Sequence, residues 1–550
     1  METLKNNEVA DIAILGGGVS GIISVKWAIE YGFKPVLFEE QDTLGGNWRK
    51  NNKKTWDSLI TNLSKNFTGF SDFMFDNYIN QFPSKTDMCN FVNSYIELFN
   101  IKDYCVFKSK VIYVKTINIE NLNIFKIYYL ENYVKKNITV KYVLSCTGNY
   151  HKPYYSNLKK FILAYNSLVN ATNYTEIIHS SNYSSNYDFK NKNVVVVGCS
   201  HSGAEITSSI CTSANKVYNI FKKSFWFIPK FVYDKNYDKY IPYDISLMSK
   251  NYINYKKEII LNYLNNTNTK NKIINENLNS SYKINNIILN NLSNQNNSLN
   301  NTIHNNMDDK NISITISQDY LNYTNKNYIT PIIGNITDIN ILEKKVKILV
   351  KEKNSDKFEE KILNNIDIII LCTGYQRDFT IYDNSILKDI NINSNNNKRF
   401  IAKNIKLKYM MLSPSYNISF ISTNPGFFFT WELQVRTSLL YFKDLLNKKW
   451  KIFFDKFDPY FNSVKKEIIV YVEFLSYLIN TNPELIKIKK LNKQLYYYIK
   501  EGPFMYSHYC VNDIFNYSNK SKEYLLSKKH IENIINFNKD LNNNNKLPKY

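Results

Sequence analysis

The first apolar run of the chain, Ile12, Ala13, Ile14 and Leu15, contains no polar residue, whereas a strand with one solvated face would alternate. An unbroken run of this length predicts a parallel strand buried on both faces. It stops at three glycines, and a helical stretch from residue 19 to about 31 follows until Gly32 ends it. A second short run, 35–38, ends at Glu39. The same succession returns as four valines at 194–197, a helical stretch and a run at 217–221. Two further apolar runs, beginning at 142 and 366, each end in Cys-Thr-Gly, at 146–148 and 372–374. Strand, helix and strand, twice over, predict an α/β fold with two Rossmann-like dinucleotide-binding domains. The repeated strand-Cys-Thr-Gly unit is what two such domains leave where the chain crosses between them.

The chemistry sits in the turns. Gly16, Gly18 and Gly21 form G-x-G-x-x-G: the first permits the tight turn, the second lets backbone approach a pyrophosphate, and the third lets helix pack on strand. Phosphate would lie on the N–H groups that open the helix. Glu39 follows Gly21 by eighteen residues, near the usual distance of about 20 for the acid that binds a ribose hydroxyl. The second turn reads Gly198, Ser200, Gly203, with Ser200 in place of the middle glycine. Its following strand ends in Lys222, Lys223 and Ser224, cationic where an NAD site shows an acid, which suits the 2′-phosphate of NADPH.

Composition narrows the rest. The chain has 550 residues, enough for two or three cores, and its +22 charge is spread together with abundant Asn, Ile and Tyr rather than gathered in a basic patch. Nucleic acid is therefore not expected as the main partner. Seven scattered cysteines without Cys-x-x-Cys fit a reducing compartment and no zinc site or redox pair. With no apolar leader and no run long enough to span a bilayer, the expectation is a cytoplasmic protein with at most peripheral membrane contact. Residues 265–311 are Asn-rich and poor in apolar side chains, so a disordered insertion is expected there, with periodic structure resuming near Tyr328 as two strands.

Between Glu39 and residue 75 the chain carries FEE, LGGNW, SLITNLSK and FSDF, and much later ELQVR at 432–436. Together with GGGVSG, these resemble the flavin-containing monooxygenases, and the resemblance spans nearly the whole chain apart from the insertion and the last thirty or so residues. It implies an FAD domain formed by 1–165 and 371–550 with an NADPH domain, 166–370, inserted between, and a homodimer is compatible with it. FAD would lie on Gly16, Gly17, Gly18, Val19, Ser20, Gly21, Glu39, Gly46, Asn47, Trp48, Thr61, Asn62, Leu63 and Gln434. NADPH would lie on Gly198, Ser200, His201, Ser202, Gly203, Lys222 and Lys223, with Thr373 and Gly374 at the second crossing. Asn62 would stand where oxygen is activated. Glu432, Gln434 and Arg436, after the turn Asn424-Pro425-Gly426, are expected to open an amphipathic helix aimed at the flavin.

The implied reaction is reduction of FAD by NADPH, addition of O₂ and transfer of one oxygen atom from the flavin hydroperoxide to a soft nitrogen or sulfur nucleophile. His179 and Tyr183 match the last two positions of the family's F-x-G-x-x-x-H-x-x-x-Y, while Asn173 and Thr175 replace the first two, and neither matching residue is assigned acid-base work. Tyr183, where a Baeyer-Villiger-type monooxygenase has Trp, disfavours that alternative. A flavoprotein serving as an interaction protein is the reading from another class, and NADPH-dependent turnover separates the two.

Overall fold

The computed structural model describes residues 10–52, 54–119, 122–168, 173–222, 225–234, 239–247, 313–351, 358–389, 411–412, 416–422, 428–444 and 485–501, with scattered positions between 475 and 539. The expected insertion at 265–311, the turn Asn424-Pro425-Gly426, and Lys223 with Ser224 lie outside these residues.

Two sheets organise the described chain. A six-stranded sheet has the order Met411–Leu412, Ile418–Phe420, Tyr142–Ser145, Ile12–Leu15, Pro35–Phe38, Cys105–Val106. A seven-stranded sheet has the order Phe358–Leu363, Lys345–Lys351, Ile329–Asn340, Lys216–Phe221, Asn193–Val197, Ile368–Leu371, Glu176–His179. The strands at the centre of each pair in parallel.

Burial on both faces explains the unbroken apolar runs. Ile12 and Ile14 point into a core shared with helices Val19–Glu30, Lys85–Leu98 and Phe428–Phe442, while Ala13 and Leu15 point into a second core under the antiparallel sheet Ser109–Ile119, Leu122–Glu131, Val134–Val140. Val194 and Val196 likewise face one core and Val195 the other. Each fully buried Ile, Leu or Val is worth roughly 1.5–3 kcal/mol against exposure, so a polar residue on either face would be costly. Helix Val19–Glu30 runs as the sequence predicts, with Gly32 at φ +70° just beyond it. It is buried nearly all round because helix Phe428–Phe442 covers the side the sheet does not.

Two expectations change here. Three strands, not two, run between residue 328 and the strand Ile368–Leu371 that leads into the second Cys-Thr-Gly: Ile329–Asn340, Lys345–Lys351 and Phe358–Leu363. Glu432, Gln434 and Arg436 do not open a helix with a charged outer face. They lie beyond the first turn of Phe428–Phe442, at 0, 1 and 8 % exposure. A local pattern of alternating charge and apolar residue reads as a surface face, and only the covering of this helix by remote segments buries it.

Candidate active site

The first glycine turn is closed by its neighbours' backbones. Gly16 has φ +101°, and a Cβ there would lie 2.7 Å from the carbonyl oxygen of Cys146. A Cβ on Gly21 would lie 1.9 Å from Gly16 O, so helix and strand could not approach as they do. Gly18 faces Gly46 across the gap: a Cβ on Gly46 would be 2.8 Å from Gly18 Cα. The turn Gly46–Trp48 is held there by Gly45 N–H donating to Gly17 O at 2.9 Å, and by Asn52 Nδ2 donating to Gly46 O at 2.9 Å. Asn47 O accepts from Thr55 Oγ1 at 3.1 Å, and Trp48 packs on the first core. Glu39 accepts from Gly17 N–H at 2.6 Å with one oxygen and from Gln41 N–H at 2.9 Å with the other. Burial raises its pKa against the lowering effect of those two donors.

The second turn repeats this geometry. Gly198 has φ +103°, its Cβ would lie 2.5 Å from Cys372 O, and a Cβ on Gly203 would lie 2.1 Å from Gly198 O. Cys146 N–H donates to Leu15 O at 2.9 Å, and Cys372 N–H donates to Val197 O at 2.8 Å. Each Cys-Thr-Gly is thus the wall against which a glycine turn is folded, as well as a crossing between the sheets. The two crossings also touch, since Lys152–Pro153 pairs antiparallel with Tyr375–Gln376. Ser200 has φ −75° and ψ −176°, nearly the −73° and −178° of Gly18, so the middle position needs no glycine for its conformation. His201, Ser202 and Gly203 form the first turn of helix His201–Ile210. Burial, reinforced by Lys230, lowers the pKa of His201 to about 4, and burial raises that of Glu205, one turn on, to about 7.

Register relocates one residue. Gly16 N–H donates to Phe38 O, and Gly198 N–H donates to Ile220 O. The counterpart of Glu39 is therefore Phe221, which is buried, and Lys222 stands one place further, exposed, with Nζ 3.4 Å from Asn157 Oδ1. An apolar residue occupies the acid's place, and the cation sits beside it rather than in it.

Asn62 lies between the two regions. Its carbonyl accepts from Tyr243 Oη at 2.8 Å, and its side-chain amide makes no hydrogen bond among the described residues. This differs from a turn Asn bonding its own backbone. Thr61 Oγ1 donates to Leu63 O at 2.8 Å, Thr61 N–H donates to Pro83 O at 2.9 Å, and Ser64 N–H donates to Asp244 Oδ2 at 2.6 Å. Gln434 Oε1 accepts from Ser422 N–H at 2.9 Å. Glu432 accepts from Ser71 N–H and Oγ at 2.8 and 2.5 Å and lies 3.3 Å from Arg436 Nη1. Thr373 Oγ1 donates to Tyr154 O, and Gly374 O accepts from Tyr154 N–H at 2.9 Å.

Residues 9–531 match the family described as FMO-like, flavin-binding monooxygenase-like. This chain belongs to that family. Over 283 residues, 49 % of each chain, it is 27 % identical to flavin-containing monooxygenase 5 of Rattus norvegicus. Over 453 residues, 79 % of this chain and 73 % of the relative, it is 25 % identical to dimethylaniline monooxygenase [N-oxide-forming] 2 of Macaca mulatta. The match to the rat protein thus spans about half of that relative's length. The crystal structure of OTEMO in complex with FAD and NADP shares the fold with a TM-score of 0.52 at 15 % identity, covering 80 % of this chain and 85 % of that one.

Within this flavin-binding monooxygenase-like chain the linker residues have structural work. His179 is 3 % exposed, and its Nε2 lies 3.0 Å from Gly374 O while Nδ1 accepts from Ser181 N–H at 3.1 Å. Burial pushes its pKa down to about 4, which keeps the ring neutral near pH 7. Tyr183 packs edge-on against Trp56, and its hydroxyl lies 2.8 Å from Ser209 Oγ. Three site neighbours carried no sequence signal: Tyr243, Asp244 and Arg377. Arg377 donates to Asn149 Oδ1 at 2.9 Å and Ser422 O at 2.8 Å, and so ties the first crossing to the strand preceding Gln434. Burial raises the Asp244 pKa to about 6. Among the described residues, no helix is long and apolar enough to cross a membrane.

Proposed function

We propose that the protein is a monooxygenase that holds FAD on the first glycine turn and NADPH on the second, and that oxygenates a soft nitrogen or sulfur nucleophile with O₂. The observation that carries this reading is the matched pair of glycine turns with the Asn62 loop between them. The first turn fits a pyrophosphate: a Cβ on Gly18 would meet only Gly46 Cα, at 3.8 Å, and one on Gly148, in the first crossing, would meet nothing within 4 Å, so backbone there faces open space. FAD held there would supply the redox chemistry and oxygen activation. The chain's own part is to hold and orient. Glu39 retains lone pairs for ribose hydroxyls beyond those used by Gly17 and Gln41, Lys222 and Lys223 attract the 2′-phosphate, and Gln434 holds the strand end at Ser422. The Asn62 amide donates and accepts without offering an acidic proton, which suits a residue beside activated oxygen.

The test is product analysis with amine, sulfide and ketone panels on purified yellow protein whose FAD is released by denaturation. Asn62→Ala is expected to keep FAD and its reduction by NADPH. It loses roughly 2–4 kcal/mol of stabilisation in the oxygen step, the size typical of one oxyanion donor, with hydrogen peroxide released instead of product. Product from ketones alone would favour the Baeyer-Villiger alternative, and FAD binding without turnover the interaction protein. Coupled turnover in Asn62→Ala would remove Asn62 from the chemistry.

A further inference from the structure

Three consecutive residues of the Asn62 loop are held from the second nucleotide-binding region. Tyr243 Oη donates to Asn62 O at 2.8 Å, and Asp244 Oδ2 accepts from Ser64 N–H at 2.6 Å. Between them, Leu63 packs on the core that contains Tyr243, Ile228, Val232 and Ile316, and also on the core of the first sheet. Tyr243 and Asp244 are 8 and 2 % exposed. Their segment is itself anchored: Tyr243 N–H donates to Lys230 O at 2.9 Å, and strand Lys239–Pro242, just before it, pairs antiparallel with Phe231–Asp234. Asp244 Oδ1 accepts from Ile245 N–H at 3.0 Å, so both carboxylate oxygens are used. On its other side the loop is held by its own region, through Thr61 N–H to Pro83 O and Lys65 N–H to Gln81 O at 2.9 and 2.7 Å.

The amide of Asn62 makes no hydrogen bond among the described residues, so its place follows from its Cα–Cβ direction, which the backbone sets, and that backbone is gripped on both sides. We propose that Tyr243 and Asp244 are positioning residues that set the place of the Asn62 amide from the opposite nucleotide-binding region. This rests on the reading of Asn62 given above. A displacement of about 1 Å at a reacting centre can cost on the order of a hundredfold in rate, so a strut of this kind would govern coupling while leaving cofactor binding alone.

The test uses full-length Tyr243→Phe, Asp244→Ala and Asp244→Asn. Amide hydrogen exchange of residues 62–65 in the protein as purified is expected to quicken by about tenfold in Tyr243→Phe and Asp244→Ala, and by about threefold at most in Asp244→Asn, whose side-chain carbonyl still accepts from Ser64 while its amide nitrogen gives up the Ile245 bond. Oxygenated product per NADPH is expected to fall about tenfold in the first two and to be partly rescued in the third, with FAD content and KM for NADPH within about twofold of the parent. Unchanged exchange in Tyr243→Phe, which removes one oxygen and keeps the ring, overturns the strut. Faster exchange with full coupling overturns the positioning role. A parent that binds FAD but makes no oxygenated product sinks the functional reading alone, and the exchange comparison still decides whether the loop is held.

Discussion

The two glycine turns share their steric skeleton and differ in what stands around it. In both, the first glycine has φ near +100° and backs onto a cysteine carbonyl, and the third would collide with the first if it carried a Cβ. Around that skeleton, the first turn has Glu39 bonding Gly17, whereas the second has buried Phe221 at the matching place. Below Phe221, Asn219 Nδ2 donates to Val196 O and Gly198 O at 3.0 and 2.9 Å, and its Oδ1 accepts from Tyr320 Oη at 2.8 Å. The first crossing is fastened by Arg377, the second by His179. What the turns hold in common is dictated by where backbone can go; what they hold apart is open to the chemistry of each ligand.

The largest expected effect breaks one turn and spares the other. Gly21→Ala and Gly203→Ala each drive a methyl into a backbone carbonyl, at a cost on the order of 3 kcal/mol. Gly21→Ala is expected to lose FAD, read as bound-flavin absorbance, and Gly203→Ala to stay yellow while its KM for NADPH rises beyond saturation. Equal flavin loss in both would show that the turns do not serve separate ligands.

Nearly as large is the pH effect of His179. Its folded pKa, about 4, lies below the usual 6.5, so the stability it contributes as a neutral ring is complete above about pH 6.5 and is lost as pH falls toward 4. The shift is worth roughly 3 kcal/mol at the acid end. Denaturant titrations at pH 7 and 4 should therefore show a larger acid loss in the parent than in His179→Asn. Asp244 and Glu205, raised to about 6 and 7, act with the opposite sign and cancel in that comparison. The same acid loss in both proteins would mean that the second crossing is not the titrating one.

Changing Lys222 and Lys223 to Glu is expected to lower the preference for NADPH over NADH by about tenfold, equal to about 1.4 kcal/mol. An unaltered ratio of kcat/KM values would place the 2′-phosphate elsewhere. The smallest effect sharpens the comparison most. Ser200→Gly should shift stability by only a few tenths of a kcal/mol, because glycine is a tolerated helix N-cap and the Ser200 hydroxyl makes no capping bond. Gly18→Ser should fold equally well, since its φ is ordinary, yet bind less FAD. A Gly18→Ser protein with full flavin would show that the space above Gly18 is not used by the cofactor.

Residue order alone determined the strands, the turns and their spacing, because these follow from local rules. An unbroken apolar run belongs inside a sheet with two covered faces, and a tight turn between strand and helix admits only glycine where φ is strongly positive. The Cys-Thr-Gly repeat was legible as a crossing, but its carbonyl against the glycine turn was not. Tertiary structure decided the rest. Parallel register set Phe221, rather than Lys222, at the position equivalent to Glu39. Covering by remote helices turned Glu432 and Arg436 into buried partners. Tyr243 and Asp244 reached Asn62 and Ser64 across 181 and 180 residues of chain. Periodicity reports which side of an element is apolar; it carries no record of which distant segment will come to lie against it, and in this protein that choice sets the surroundings of Asn62.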